Sequence, residues 1–190
     1  MEVDIQELKA GNEQAFRLLI DAYGKAIFNL CLGMIPNRDD AEELTQDVFI
    51  EAYKHIASFR EGSHIKTWLF RIALNKCYDH IKFSKRKKRY GIMQPLLDKD
   101  DNPIELPSNF QHPGITLENK DHAKALYGAL NALPENQHTA FTMYEMQGMD
   151  YKQIADTMSV SVSAVESLLS RARAGLRKKL QDYYTHNASS

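Results

Sequence analysis

From Lys82 the chain reads Lys-Phe-Ser-Lys-Arg-Lys-Lys-Arg, and at helical pitch Lys82, Lys85, Arg86 and Arg89 share one face. Such a row of cations neutralises a line of phosphates. Just upstream, Gly62-Ser63-His64-Ile65-Lys66 forms a short polar loop, with Phe59 before it and Trp68 after it. Gly62 permits close backbone approach, while Ser63 and Lys66 offer donors, which suits the capture of a base flipped out of its stack. A basic track beside such a loop fits single-stranded nucleic acid. Trp68 admits two readings, a stacking surface or, followed by Leu69, a core residue.

A second candidate lies near the C-terminus. Asp150 to Met158 reads as a short helix, with Ile154 and Ala155 inward and Lys152, Gln153 and Asp156 outward. Ser159-Val160-Ser161 makes a tight turn, and a second helix runs from about Val162 to Tyr183. Val165, Leu168, Leu169, Ala172, Leu176 and Leu180 form its apolar face. Ser163, Glu166, Ser167, Ser170, Arg171 and Arg177 lie opposite. A polar helix braced by a shorter one fits the major groove, its N-terminal half against base edges. There Arg171 and Ser167 come within reach of bases, and arginine grips guanine through two hydrogen bonds. Arg173 and Arg177 lie further round, where a phosphate or an acidic protein neighbour is the expected partner. Glu166 either accepts from cytosine N4 or closes a capping box with Ser163. The bland alternative for the whole motif is a helical hairpin with a solvated face.

A third stripe is acidic. In the helix expected from Asp39 to Ser58, Leu44, Val48, Ala52 and Ile56 form an apolar row. Asp40, Glu43, Asp47 and Glu51 form an acidic row beside it, flanked by Gln46, Phe49 and Tyr53. Like charges at this spacing repel by a few tenths of a kcal/mol each. A solvated face tolerates that; a basic partner relieves it.

The elements that carry these stripes are helices. Apolar residues recur at three- and four-residue intervals over 5–34, 39–58, 66–90 and from 121 onward, with no period-two strand. Pro36-Asn37-Arg38 breaks the pattern, with Asp39 or Asp40 expected as the next N-cap. Pro134 suits the first turn of a helix. Residues 91–120 lose periodicity and hold Pro95, Pro103, Pro107 and Pro113 with Asp98, Asp100 and Asp101, the composition of an extended linker. The expected fold is all-α. Two small helical domains, 1–90 and 121–185, are joined by a flexible linker over 91–120, and the second is a helix-turn-helix.

Charge follows the same division. Residues 1–58 carry 5 basic and 11 acidic side chains, and 59–90 carry 10 and 2. Residues 91–150 carry 3 and 9, and 151–190 carry 6 and 3, so a net charge of −1 hides two basic blocks between acidic ones. Two anion-facing surfaces on a body that otherwise repels polyanions are implied. Cys31 and Cys77 both sit in helical stretches, which argues against a disulfide framework. No apolar run spans a bilayer, and the acidic Met1-Glu2-Val3-Asp4 start lacks a signal layout, so the chain reads as cytoplasmic.

Catalysis finds no support. Cys77 and His80 fall on one helical face, but a zinc site needs three or four ligands and no second pair exists. There is no phosphate-binding glycine loop and no Ser-His-Asp spacing. A dimeric operator-binding regulator would explain the helix-turn-helix but not the second basic block beside an aromatic loop. A helical scaffold binding only protein predicts no salt-dependent DNA affinity.

Taken in order, these segments resemble the extracytoplasmic-function (ECF) sigma factors of bacterial RNA polymerase. The resemblance rests on Leu133-Pro134, Ala140-Phe141, Tyr151 to Ala155 and Val165 to Arg173 in the second domain. In the first it rests on Asp40 to Phe49 and on Phe59 to Asn75. It implies a transcription initiation factor and no enzyme, cofactor or metal. The partners implied are core RNA polymerase, promoter DNA and an anti-sigma factor, the free chain being a monomer. By resemblance Glu43, Gln46, Asp47, Phe49 and Tyr53 dock on the clamp helices of the polymerase's largest subunit. Arg60, Ser63, His64, Lys66, Trp68, Asn75, Lys82, Lys85, Arg86 and Arg89 then bind the minus-ten element. Lys152, Ser163, Glu166, Ser167, Ser170, Arg171, Arg173 and Arg177 bind the minus-thirty-five element. The chain departs from the family at Ser159, where glycine is usual, and at Glu166 and Leu168, where basic residues are common.

Overall fold

A computed structural model describes residues 3–60, 62, 64–89 and 120–187, apart from the side chains of 87–89, 120–124 and 182–187. The described residues form helices and connecting turns, with no strand among them. The chain divides into two compact units, Met1–Pro95 and Leu96–Ser190. The expected linker, 91–120, lies outside the described residues except at its last position, where a helix has begun.

In the first unit the helices are α1 (Ile5–Lys9), α2 (Glu13–Met34), α3 (Arg38–His55) and α4 (Ile65–Arg89), with a 3₁₀ turn at Ile56–Ser58. The periodicity over 5–34 reads as one helix, but two are present. Gly11 adopts φ +78°, and Asn12 caps α2 through its side-chain oxygen, which accepts from the amides of Gln14 and Ala15. The cap of α3 is Asn37 rather than Asp39 or Asp40; its Oδ1 accepts from the Asp40 amide at 3.0 Å. Both aspartates instead fall in the first turn, where carboxylates favour the positive end of the helix.

Helices α2, α3 and α4 pack on one another around Leu19, Ile27, Leu30, Val48, Ala52, Leu69, Phe70 and Ala73, all fully or nearly fully buried. Burying each large apolar side chain is worth about 1.5–3 kcal/mol. Cys31 of α2 and Cys77 of α4 are free thiols in this core. Their mutual hydrogen bond, then burial, holds the Cys77 thiol well above its ordinary value.

The second unit holds α5 (Lys120–Asn131), α6 (Glu135–Phe141), α7 (Tyr151–Met158) and α8 (Val162–Asn187), with a π turn at Thr142–Met146. Pro134 is the N-cap of α6, one place earlier than the first turn. Helix α8 runs four residues beyond the expected end at Tyr183. It lies against α5, α6 and α7, burying Val165, Leu169, Ala172 and Leu176. Gly175 allows this closeness, because a Cβ there would meet Leu133 Cδ2 at 2.8 Å. No described helix is long and apolar enough to cross a membrane.

Candidate nucleic-acid and polymerase interfaces

The helix-turn-helix of α7 and α8 is set by three local devices. Asp150 caps α7 in a full capping box: its Oδ1 accepts from the Gln153 amide at 2.8 Å, and Gln153 Oε1 accepts from the Asp150 amide at 3.1 Å. Ser159 ends α7 in the left-handed region at φ 57°, ψ 45°, and its amide and that of Val160 both donate to the Ala155 carbonyl. Ser161 Oγ then accepts from the Ala164 amide at 3.2 Å and starts α8. The turn is therefore made without the usual glycine, at a cost of about 1 kcal/mol.

This arrangement excludes one of the two readings of Glu166. Ser163 stands inside α8, so no capping box forms between them. Glu166 is exposed, together with Ser163, Ser167, Ser170, Arg171, Arg177 and, on α7, Lys152. Arg171 Nε donates to the Ser167 carbonyl at 3.1 Å. Arg173 differs from the rest. Its Nη2 lies 3.3 Å from Glu145 Oε1, and its Cζ sits 5.1 Å over the Tyr144 ring. Partial burial opposes its charge, but hydrogen bonds with Tyr151 and Glu145 outweigh that and raise its pKa. Glu145 is thus an acidic protein neighbour of Arg173, one of the two partners expected for it. Sequence reasoning missed Val160 and Val162, exposed apolar side chains flanking the turn, because it attended to polar residues there.

In the first unit α3 presents three faces. Leu44, Val48, Ala52 and Ile56 are buried, as the spacing required. The acidic row divides in two. Asp40 Oδ2 faces His80 Nε2 at 3.4 Å, and Glu51 pairs with Lys76 Nζ at 3.3 Å and His55 Nε2 at 3.1 Å. Lys76 beside it holds Glu51 below the usual carboxylate range. The ends of the row are thus tied to α4, its own basic neighbour, which supplies part of the expected relief. Glu43, Gln46 and Tyr53 face outward and Asp47 is half-buried. Phe49 is only 8% exposed and belongs to the core. Ile50, at 51%, occupies the centre of the outward face, with Tyr53 at 54% edge-on to Phe16. The signal for Ile50 was present: residues 43, 46, 50 and 53 share a side at 100° per residue.

On α4, Trp68 is half-buried and leans on Phe59 with ring centroids 5.3 Å apart. It also lines an open groove of about 360 Å³ with Ile72, Asn75, Lys76 and Asp79 of α4 and Glu51 and His55 of α3. Trp68 is therefore only partly a core residue. Lys66 Nζ sits 5.6 Å over the Phe70 ring. Arg60, His64, Asn75, Lys82, Lys85 and Arg86 are exposed, while Ser63 and the Arg89 side chain lie outside the described residues. Phe83 is exposed among the cations. Among the described residues no three His, Cys, Asp or Glu are placed to hold a metal ion.

Residues 19–87 match the sigma-70 region 2 family and residues 123–176 match sigma-70 region 4. The chain belongs to the ECF sigma factors of RNA polymerase. It is 28% identical over 180 residues to the ECF RNA polymerase sigma-E factor of Haemophilus influenzae, across 93% of each chain. It is 28% identical over 177 residues to the RNA polymerase sigma-H factor of Pseudomonas aeruginosa, across 93% of this chain and 92% of that one. Its fold resembles CnrH in a complex with the cytosolic domain of CnrY, at a TM-score of 0.67 and 22% identity, over 94% and 95% of the two chains. It also resembles the sigma factor RpoE of Bartonella quintana, solved with the anti-sigma factor NepR, at 0.63 and 26%, over 87% and 96%. This sigma factor is a transcription initiation factor and not an enzyme. It binds core RNA polymerase and directs initiation at promoters, region 2 serving the minus-ten element and region 4 the minus-thirty-five element.

Proposed function

We propose that the sigma factor divides its work among three surfaces, within domains spanning 1–90 and 121–185. The outward face of α3, Glu43, Gln46, Asp47, Ile50 and Tyr53, docks on the polymerase clamp helices. The groove beside Trp68 and Asn75, with the loop at Gly62–Lys66, takes an unstacked base of the minus-ten element. Arg60, His64, Lys82, Lys85 and Arg86 hold the adjoining phosphates. Ser163, Glu166, Ser167, Ser170 and Arg171 on α8 face the bases of the minus-thirty-five element, with Lys152 and Arg177 at phosphates.

One observation carries this reading. Each exposed surface is matched in chemistry to its target: an acidic rim around exposed Ile50 and Tyr53 for a protein, cations of α4 near a groove that Trp68 lines for a single strand, and short polar side chains with arginine for a duplex. The sigma factor works in the bacterial cytoplasm, is a monomer when free, and is held in check by an anti-sigma factor. Similarity to a sigma factor solved with such a partner supports the last point. The test is run-off transcription from genomic fragments with core polymerase and the chain, followed by mapping of start sites. Starts that share a spaced pair of upstream elements support the assignment. Starts identical to those of core polymerase alone overturn it.

A further inference from the structure

Arg173 differs from every other described cation on α8 in what surrounds it. Lys178 and Lys179, like Arg171 and Arg177, are exposed. Arg173 instead joins three segments: Tyr144 and Glu145 come from the π turn, Tyr151 opens α7, and Arg173 itself is on α8. The Glu145 side chain is only 16% exposed against 40% for Arg173, so the carboxylate reaches inward from beneath the guanidinium. The rings of Tyr144 and Tyr151 meet edge-on at 5.5 Å, and Arg173 sits over the first of them. A planar fork can stack on Tyr144 while donating to Glu145; a lysine ammonium cannot do both. The π turn matters here, since its extra residue rotates the downstream side chains out of ordinary helical register.

We infer that Arg173 is a positioning residue: it locks α8 against the π turn and α7, so that the Ser167 and Arg171 face meets base edges, and it neutralises no phosphate. The inference rests on α8 being the helix that reads the upstream element. It makes a prediction of sign at Glu145. Were Arg173 a phosphate contact, Glu145 would compete with DNA for it, and Glu145→Gln would strengthen binding. As a positioning pair, either loss weakens binding.

The experiment uses holoenzyme reconstituted from core polymerase and the full chain. The probes are a duplex selected by the wild-type holoenzyme from a pool randomised upstream and the same duplex with that element scrambled, each measured over a range of salt. Arg173→Gln and Glu145→Gln should each weaken the selected duplex by about tenfold, as for loss of one charge-assisted hydrogen bond, and leave the scrambled one unchanged. The double variant should be no worse than either single one, and Arg173→Lys should not restore binding. Their salt slopes should match wild type, whereas Arg177→Gln should weaken both duplexes and lower the slope by about one. Stronger binding by Glu145→Gln, or a lower slope for Arg173→Gln, would overturn the role assigned to Arg173 while leaving α8 as the reading helix. Equal affinity of wild type for both duplexes would overturn the reading of α8 and this role with it.

Discussion

Arg171 and Arg173 are two residues apart and have different surroundings, because about 200° of helical rotation separates a solvent-facing position from one at the edge of the core. With Ser167 beside it, Arg171 is exposed, and a guanine is the partner proposed for it. Arg171→Ala should cost about 1–3 kcal/mol on the preferred upstream element and far less on a scrambled one, read by binding to paired promoters. Equal losses on the two would transfer specificity to Glu166 and Ser170. Ser159 carries a different cost, since it holds φ 57° with a β-carbon. Ser159→Gly should raise the stability of the second unit by up to about 1 kcal/mol in thermal unfolding. A third such position is Tyr127, whose buried hydroxyl has no hydrogen-bond partner and whose pKa burial pushes up to about 12. Tyr127→Phe should stabilise by about 1 kcal/mol or more, because it removes a desolvated hydroxyl. The native pKa lies above that of the unfolded chain, so the neutral form's contribution is complete below pH 10 and lost as pH rises towards 12. The phenylalanine variant should therefore lose less stability than wild type over that alkaline window.

At the scale of the element, α3 shows how one helix serves three neighbours. Its buried row faces α2 and α4, its acidic ends pair with Lys76 and His80 of α4, and its remaining face is exposed and is the one proposed to dock on polymerase. Charge reversal at Glu43 and Asp47 together should abolish co-purification with core polymerase while circular dichroism stays unchanged, because neither residue is in the core. Ile50→Ala should weaken the same complex by about 1–2 kcal/mol, as expected for an apolar side chain near the centre of an interface. Undiminished capture of the charge-reversed chain would sink the docking assignment. Phe49→Ala belongs to another class: it should cost about 3–5 kcal/mol of fold stability, since it empties core volume.

For the whole molecule, the decisive property is that two basic surfaces sit on separate units. The first, residues 1–95, should prefer single-stranded or pre-melted promoter DNA, and the second should prefer duplex. Affinity of the first unit for single strands should fall steeply between low and physiological salt, with the slope counting the phosphates neutralised along α4. Fluorescence anisotropy on matched single-stranded and duplex probes measures this. Equal affinity for both, without sequence preference, would mean that the loop captures no base.

The helical class, the two-domain order and the polar face of α8 were legible in the chain because each depends on local periodicity. Leu44, Val48, Ala52 and Ile56, or Val165, Leu169, Ala172 and Leu176, announce a buried stripe wherever the helix is placed. Capping was legible less well. Asn37, Asn12 and Ser161 act through side chains that many neighbouring polar residues could have replaced, and only backbone geometry chose among them. Three matters were left to tertiary structure: that Phe49 is covered while Ile50 is not, that Glu51 and Asp40 pair with α4, and that Arg173 pairs with Glu145. The reason is common to all three. A sequence shows which residues share a side of one helix, but what lies opposite depends on partners 25 to 40 residues away along the chain for these ion pairs, and only packing brings them together.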